Sequence, residues 1–283
     1  MALDNSEQIA DWNGAMGQQW ARLQRDLDGM VMPFGDAALK AAAPRLNERV
    51  IDIGCGCGDT SLTLASLVGP AGAVLGVDVS QPMLEVARAR AAQLGLTHLV
   101  FREADAAAAE LPAGNDLLYS RFGVMFFSQP VPAFAHLRKS LRAGGRCVFV
   151  CWRTPRDNAW TMTPLMAARK AMNVTPAPVD PHAPGPFAFA DEERLRGILS
   201  DAGFASISTQ RFDTPVSLGA TVRAAAECAT RIGPASRFAR EMGAENLPAI
   251  VDAIERSLTP LAGPDGGVRL NGSTWVVSAS NPG

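Results

Sequence analysis

The chain has 283 residues, of which 47% are hydrophobic and 19% are charged, and its formal net charge is −2. This balance excludes a disordered chain, which would be poorer in apolar residues, and it argues against a partner nucleic acid, which selects strongly basic surfaces. No apolar run approaches the roughly 20 residues that a membrane span needs. The first residues carry acids where a signal peptide carries positive charge, so we expect a cytoplasmic protein.

The five cysteines indicate neither a disulfide framework nor a metal site. Their number is odd, and no two of them have the C-x-x-C spacing of zinc and redox sites. Cys55 and Cys57 are separated by one residue in a glycine-rich segment, where small side chains are needed in any case. We therefore interpret them as reduced cysteines and expect no bound metal.

Short apolar runs alternate with helical stretches from residue 49 onward. The predicted strands span 49–53, 73–79, 99–102, 116–120 and 146–152, and the predicted helices between them span 60–68, 80–94 and 132–141. Such alternation is typical of parallel βαβ units. It predicts an α/β fold with a Rossmann-like doubly wound sheet that carries helices on both faces.

The rest of the chain departs from this alternation. Residues 6–43 predict two amphipathic helices that separate near residues 32–33. Residues 153–190 contain seven prolines, and the five between 176 and 186 predict an irregular loop in part of this stretch. The remaining predicted elements are a helix over 191–202, a strand over 205–216, helical segments over 219–262 and a last strand over 268–279.

A glycine turn follows the first predicted strand, in the segment VIDIGCGCGDTS. Gly54, Gly56 and Gly58 lack a Cβ atom, so a ligand can lie against the backbone at the carboxyl end of the strand. The dinucleotide fingerprint G-x-G-x-x-G has its third glycine where this chain has Asp59, and an acid there would repel a pyrophosphate. Together with Asp52, this acid favours a ligand that carries an amine and a sulfonium.

Two further acids follow the next predicted strands. Asp78 ends the second strand 20 residues after Gly58, a position suited to hydrogen bonds with ribose hydroxyls. Its alternative is an exposed residue before a helix. Asp105 follows the third strand, where its carboxylate can accept a hydrogen bond from an adenine amino group while Ala106 supplies a backbone N–H. A purely structural role is the alternative, because Glu103 lies close by.

The order and spacing of four sequence motifs resemble those of the class I S-adenosylmethionine-dependent methyltransferases. The motifs are VIDIGCGCGDTS, GVDVS, EADA and NDLLYSRFGVMFF. The likeness covers about residues 45–152, and a weaker likeness to the UbiE-like small-molecule type continues through GPFAFADEERLRGILSDAGF and TWVVSA. The resemblance implies a seven-stranded mixed sheet of order 3-2-1-4-5-7-6 with an antiparallel last strand. It also implies S-adenosyl-L-methionine as the cofactor and a small molecule as the substrate.

The resemblance divides a single methyltransferase domain into a cap, a core and insertions. These parts are an N-terminal helical cap (1–44), a cofactor-binding core (45–152), helical lid insertions for the substrate (153–190 and 219–262), and two segments that complete the sheet (191–216 and 268–279). The oligomeric state is left open.

The resemblance also implies which residues of this chain surround the cofactor. They are Gly54, Gly56 and Gly58 at its methionine part, Asp52 near the amine, Asp78 at the ribose, Met83 on the adenine, Asp105 and Ala106 at the adenine edge, Ser120 and Arg121 beneath the sulfonium, and Gln19 and Trp20 on an N-terminal helix that closes over it.

The expected chemistry is methyl transfer to a small, apolar or aromatic metabolite, with the protein aligning the nucleophile. A neutral nucleophile also needs a base, and the candidates are His182 in the proline-rich stretch and Asp157 just past the fifth strand. Methionines and tryptophans outside the core favour an apolar pocket. Two alternatives remain open: an NAD(P)-linked oxidoreductase, and a cofactor-binding protein that no longer methylates.

Overall fold

The computed structural model describes residues 5–176 and 180–283, without the side chain of Glu7. Residues 1–4 of the predicted cap and residues 177–179 of the predicted proline-rich loop lie outside the described residues. The chain divides into two compact units. The first comprises Met1–Trp152, His182–Phe212 and Thr274–Gly283, and the second comprises Arg153–Pro181 and Asp213–Ser273.

The described residues contain seven strands that form one sheet. They are β1 (Arg49–Ile53), β2 (Ala73–Asp78), β3 (Leu99–Glu103), β4 (Asn115–Arg121), β5 (Leu141–Trp152), β6 (Ala205–Gly219) and β7 (Val268–Ser280). Their order is β3-β2-β1-β4-β5-β7-β6. The pairs from β3 to β5 are parallel, whereas β7 runs antiparallel to β5. The predicted seven-stranded mixed sheet and its order are confirmed.

Eleven α-helices lie in the described part of the chain. They are α1 (Ser6–Asn13), α2 (Ala15–Arg22), α3 (Gln24–Ala42), α4 (Asp59–Val68), α5 (Gln81–Gln93), α6 (Pro130–Arg138), α7 (Ala159–Ala171), α8 (Glu192–Asp201), α9 (Val222–Ala229), α10 (Pro234–Met242) and α11 (Leu247–Leu258). In the first unit, α4 packs against β1 and β2, α5 against β3, and α3 against β4 and β5. Among the described helices, none has the length and apolar character that crossing a bilayer requires.

The parallel strands bring their carboxyl ends to one edge of the sheet. Apolar residues such as Ile51, Leu117 and Val150 are fully buried, as expected for strands that are covered on both faces. The register pairs Asp52 with Tyr119 of β4, so the segments that follow β1, β2 and β4 all emerge at this edge. Open α/β sheets bind their ligands there.

The N-terminal segment differs from its prediction, because residues 6–42 form three helices rather than two. Pro33 lies inside α3 and does not end it. A proline inside a helix removes one backbone hydrogen bond and its ring clashes with the preceding turn, which together cost about 3 kcal/mol. The burial of Leu27 and Phe34, on either side of the proline, offsets this cost, at about 1.5–3 kcal/mol for each buried side chain. The breaks lie at Gly14 and Leu23 instead.

The second unit is built mainly from helices around a small apolar core. Helix α11 packs against α7 and α9, and α10 packs against α7. Leu165, Ala225, Ile250 and Ile254 are buried there. The first half of the proline-rich stretch thus forms helix α7, and the irregular part of the prediction is confirmed for the described residues that follow it, which form no helix or strand until α8.

Candidate functional site

The three glycines of the turn after β1 have different surroundings, although all of them adopt positive φ angles of +67°, +54° and +82°. A Cβ atom on Gly54 would lie 2.6 Å from the Cα atom of Gly123, and one on Gly58 would lie 2.9 Å from a side chain of α5. Beyond its chain neighbours, a Cβ atom on Gly56 would come within 4 Å only of the Met83 sulfur, at 3.9 Å, among the described residues. Gly56 is therefore the position where the backbone of the turn faces open space.

Asp52 lies beneath the turn and is fully buried. Its Oδ2 atom accepts hydrogen bonds from the hydroxyl groups of Thr60 at 2.7 Å and Ser61 at 2.6 Å. Its Oδ1 atom is buried and has no hydrogen-bond partner within the described residues. Burial raises the pKa of Asp52 to about 6, against the opposing effect of the two hydroxyls. An unpaired buried acceptor is costly, and a cationic ligand would satisfy it.

Asp78 ties the end of β2 to the turn. Its carboxylate accepts hydrogen bonds from the backbone N–H groups of Gly56 at 2.7 Å and Ser80 at 2.8 Å. Burial raises the pKa of Asp78, although both backbone hydrogen bonds act in the opposite direction. The residue is buried, which contradicts the alternative of an exposed position before a helix. Each carboxylate oxygen has a second lone pair, so Asp78 can still accept from a ligand hydroxyl.

Asp105 accepts hydrogen bonds from Asn5, the residue before helix α1. Both of its carboxylate oxygens lie 3.2 Å from Nδ2 of Asn5, and one of them also accepts from the backbone N–H of Ala107 at 2.9 Å. The Asn5 side-chain oxygen in turn accepts from the backbone N–H of Ser128 at 3.1 Å. Ala106 is buried beside this carboxylate. Asn5 is not among the predicted site residues, since no local pattern marks a contact between residues 100 positions apart.

Helices α1 and α2 are held to the loop that follows Asp78. The Asn13 side chain bonds backbone groups on both sides of Ser80, at 2.8 and 3.0 Å, and the Ser80 hydroxyl donates to the carbonyl of Trp12 at 2.7 Å. Trp20 packs edge-to-face on Trp12 with ring centroids 5.4 Å apart and is partly exposed, as is its neighbour Gln19. The predicted closing helix therefore lies beside the predicted ribose site.

Ser120 holds the end of β4 to the end of β1. Its hydroxyl donates to the carbonyl of Ile53 at 2.7 Å and accepts from the backbone N–H of Gly123 at 3.1 Å. Because Gly123 also lies against Gly54, the turn after β4 and the glycine turn form one continuous structure. The structure thus brings Ser120 to the predicted cofactor site, with its hydroxyl engaged in positioning the backbone.

Arg121 belongs to a closed ring of four charges, here called the charge ring, formed by Asp28, Asp59, Arg90 and Arg121. Arg121 binds Asp59 at 2.9 Å and Asp28 at 3.0 Å, and Arg90 binds the same two acids at 3.2 and 3.1 Å. Burial lowers the pKa of the Arg121 guanidinium, but Asp59 and Asp28 outweigh it, and the pKa is raised. Arg90 also donates to the carbonyl of Cys57 at 2.8 Å.

The charge ring changes the expected effect of Asp59 on a ligand. Asp59 was expected to repel a pyrophosphate by its negative charge, but two arginines neutralise that charge. The charge of Asp59 is therefore a weaker argument against a dinucleotide than the glycine spacing G-x-G-x-G. Asp28 and Arg90 were missed, because neither lies in a recognised motif and their partners are distant in sequence.

The two candidate bases belong to different units. The carboxylate of Asp157 accepts from the Thr154 hydroxyl at 2.7 Å and lies 3.5 Å from the Arg153 guanidinium, all within the second unit. His182 belongs to the first unit and is exposed. These contacts do not test whether either residue accepts a proton, so both stay predictions.

Comparison with known proteins identifies the domain. A family model described as a methyltransferase domain matches residues 45–184. The aklanonic acid methyltransferase DauC of Streptomyces sp. (strain C5) is 36% identical over 118 residues, which cover 41% of this chain and 54% of that protein. The match therefore spans about half the length of this relative.

Two further comparisons extend over more of the chain. The ubiquinone/menaquinone biosynthesis C-methyltransferase UbiE of Pseudomonas putida (strain W619) is 26% identical over 201 residues, 68% of this chain and 73% of that protein. The crystal structure of the YcgJ protein of Bacillus subtilis superposes with a TM-score of 0.59 at 19% identity and covers 88% of this chain and 98% of that one. Residues 45–184 therefore match a methyltransferase domain, and the sheet order is the one that the resemblance to the class I S-adenosylmethionine-dependent methyltransferases implies.

Proposed function

We propose that this protein transfers the methyl group of S-adenosyl-L-methionine to a small, apolar or aromatic metabolite. The observation that carries the proposal is the open backbone at Gly56, next to the two buried carboxylates of Asp52 and Asp78. When bound, the cofactor supplies an electrophilic methyl group on a sulfonium. The chain supplies binding, alignment of the nucleophile in line with that methyl group, and exclusion of water.

The residues of the turn fit the cofactor by charge and by space. The unpaired Oδ1 atom of Asp52 would accept from its ammonium group, and the free lone pairs of Asp78 would accept from the ribose hydroxyls. Met83 borders the open face of Gly56 and would pack on the adenine. Gly54 and Gly58 shape the turn, because protein atoms occupy the space beside them.

The adenine edge would be bound at Asp105 and Ala106. The amide of Asn5 already gives Asp105 an N–H donor, the same type of donor that an adenine amino group provides. We propose that the adenine takes the place of this amide. Gln19 and Trp20 would then close over the cofactor.

Two proposals concern the acceptor side. Ser120 and Arg121 would line the floor beneath the sulfonium, and the positive charge of Arg121 is balanced there by Asp28 and Asp59. The insertions 153–190 and 219–262 would supply substrate-binding residues. What supports this is their content of adaptable apolar side chains, for example the exposed Met166.

His182 and Asp157 remain our proposals for the general base. A positioned base accelerates methylation of a neutral hydroxyl or amine by roughly 10²–10⁴-fold. His182 is exposed, and the carboxylate of Asp157 accepts a hydrogen bond from Thr154. We propose both residues as comparable candidates.

Calorimetry and a transfer assay test the proposed function. We expect S-adenosylhomocysteine to bind the full chain, and we expect radiolabelled methyl to pass from S-adenosylmethionine to small molecules of a cell extract. Absence of cofactor binding would reject the proposal, and binding of NAD(P) instead would favour an oxidoreductase. Cofactor binding without transfer to any extract would favour the alternative of a binding protein that no longer methylates.

A further inference from the structure

Four aromatic rings meet at the carboxyl end of β4 and β5. Phe122 stacks on Trp152 with ring centroids 4.3 Å apart and ring planes 8° from parallel. Phe34 of α3 packs edge-to-face on Trp152 at 4.9 Å and on Phe212 at 5.9 Å. All four residues belong to the first unit, and we call them the aromatic cluster. Phe34 and Trp152 are buried, whereas Phe122 and Phe212 are partly exposed.

Phe122 is held in a strained backbone conformation. Its φ angle is +64°, which is rare for a bulky side chain. Its backbone N–H donates to the carbonyl of Val150 at 3.1 Å, and the next residue, Gly123, lies against Gly54 of the glycine turn. Strain of this kind persists where the surrounding structure enforces it, and such residues cluster at active sites.

The position of Phe122 places a partly exposed ring beside the cofactor turn. Phe122 directly follows Arg121, the last residue of β4, and its stacking partner Trp152 is the last residue of β5. This edge of the sheet is where α/β proteins bind ligands. One face of the Phe122 ring stacks on Trp152, Phe34 packs edge-to-face on the same ring at 6.0 Å, and the residue is partly exposed. An acceptor that binds at this residue would therefore join an existing aromatic stack.

We propose that Phe122, supported by Trp152, is a specificity-determining residue that binds the methyl acceptor by stacking on a planar aromatic ring. The inference rests on the proposed methyltransferase function and narrows its substrate class to aromatic acceptors. A parallel stack favours a planar ring over a puckered one of the same size, because only the planar ring keeps its whole face in contact. Phe122 thus selects among acceptors by their planarity. This selection does not depend on which residue acts as the general base.

A matched pair of probes tests the proposal. The probes are 2-naphthol and decahydro-2-naphthol, which share a carbon skeleton and one hydroxyl group but differ in planarity. Each is titrated calorimetrically into the full chain saturated with S-adenosylhomocysteine. We expect the wild-type chain to bind 2-naphthol at least fivefold more tightly than its saturated analogue. Equal affinities, or no binding of 2-naphthol, would overturn the inference.

Substitutions at Phe122 separate the ring from its packing. Phe122→Leu keeps an apolar side chain without a planar face, and we expect it to abolish the preference for 2-naphthol. Phe122→Tyr keeps the ring, and we expect it to retain the preference. Phe122→Gly removes the ring and relieves the positive φ angle, so it serves if the leucine variant does not fold. A preference that survives in either ringless variant would show that Phe122 only packs.

Cofactor binding distinguishes the two levels of the proposal. We expect S-adenosylhomocysteine affinity to stay within twofold of wild type in all three variants. If the wild-type chain fails to bind S-adenosylhomocysteine, the proposed function fails. If it binds S-adenosylhomocysteine and the naphthol pair shows no difference, the assignment of Phe122 alone fails.

Discussion

Alanine substitutions at the three turn glycines separate the stability of the fold from the affinity for the cofactor. Each glycine has a positive φ angle, so a side chain there costs about 1–2 kcal/mol. At Gly54 and Gly58 the new Cβ atom would also lie 2.6 and 2.9 Å from other atoms, and such overpacking costs about 1–3 kcal/mol more. At Gly56 the nearest atom, the Met83 sulfur, is 3.9 Å away and adds no cost.

The expected results follow from these distances. The free energy of unfolding should fall by about 2–5 kcal/mol for Gly54→Ala and Gly58→Ala, and by about 1–2 kcal/mol for Gly56→Ala. Gly56→Ala should nevertheless weaken S-adenosylhomocysteine binding at least tenfold, about 1.4 kcal/mol, because its methyl group fills the space that the ligand needs. Gly56 would then be the one glycine of the three that is mainly required for binding.

Urea unfolding of the ligand-free chain and calorimetry with S-adenosylhomocysteine measure the two quantities. Gly95→Ala is the matched control, because Gly95 has a φ angle of +65° and a Cβ atom there would meet nothing within 4 Å among the described residues. It should lose as much stability as Gly56→Ala and keep wild-type affinity. The reasoning is refuted if Gly56→Ala binds like wild type, or if it is destabilised as much as Gly54→Ala.

Three further predictions concern charged groups. Asp78→Asn should weaken S-adenosylhomocysteine at least tenfold in calorimetry, since a hydrogen bond to a charged group contributes about 1.5–3 kcal/mol; a loss within twofold contradicts the ribose assignment. Because burial raises the pKa of Asp52 to about 6, its contribution to stability is full below about pH 4 and is lost as the pH rises through 6. The ligand ammonium group binds the ionised form of Asp52, so the affinity for S-adenosylhomocysteine should fall as the pH drops from 7.5 to 5. Asp52→Asn should flatten this pH dependence. A flat profile in the wild-type chain argues against a contact between Asp52 and the ammonium group. Arg121→Met leaves Asp28 and Asp59 without one partner each, and it should lower the free energy of unfolding by about 3–5 kcal/mol in urea unfolding. Arg121→Lys should recover less than half of this loss. A loss below about 1 kcal/mol would mean that the charge ring contributes little to stability.

The core of the fold could be predicted from the sequence because its signals are local. A strand, a glycine turn and a helix within residues 49–68 are specified by neighbouring residues, and the structure places them within one or two residues of the prediction. The same holds for Asp52 and Asp78, whose positions at strand ends follow from the alternation of elements. Burial of both carboxylates then follows from the sheet.

The contacts that complete the site join residues that are distant in sequence, and no local pattern predicts them. Asp28 meets Arg121 across 93 positions, and Asn5 meets Asp105 across 100. Pro33 was interpreted as a helix break because the local rule for proline omits the burial that supports α3. The backbone strain at Phe122 is also invisible in the sequence, since a phenylalanine carries no turn signal.

The N-terminal helices have a consequence for the order in which the chain folds. The residues that α1–α3 contact at the site all lie further along the chain. Asn13 contacts the loop after β2, Asp28 contacts Arg90 and Arg121, and Phe34 contacts Trp152. Contacts between such distant residues require the closure of long loops and form slowly. Residues 5–42 therefore dock only once β4 and β5, whose ends carry Arg121 and Trp152, have formed. Until then the apolar side chains of Leu27 and Phe34 stay uncovered, and uncovered apolar surface of this kind promotes aggregation.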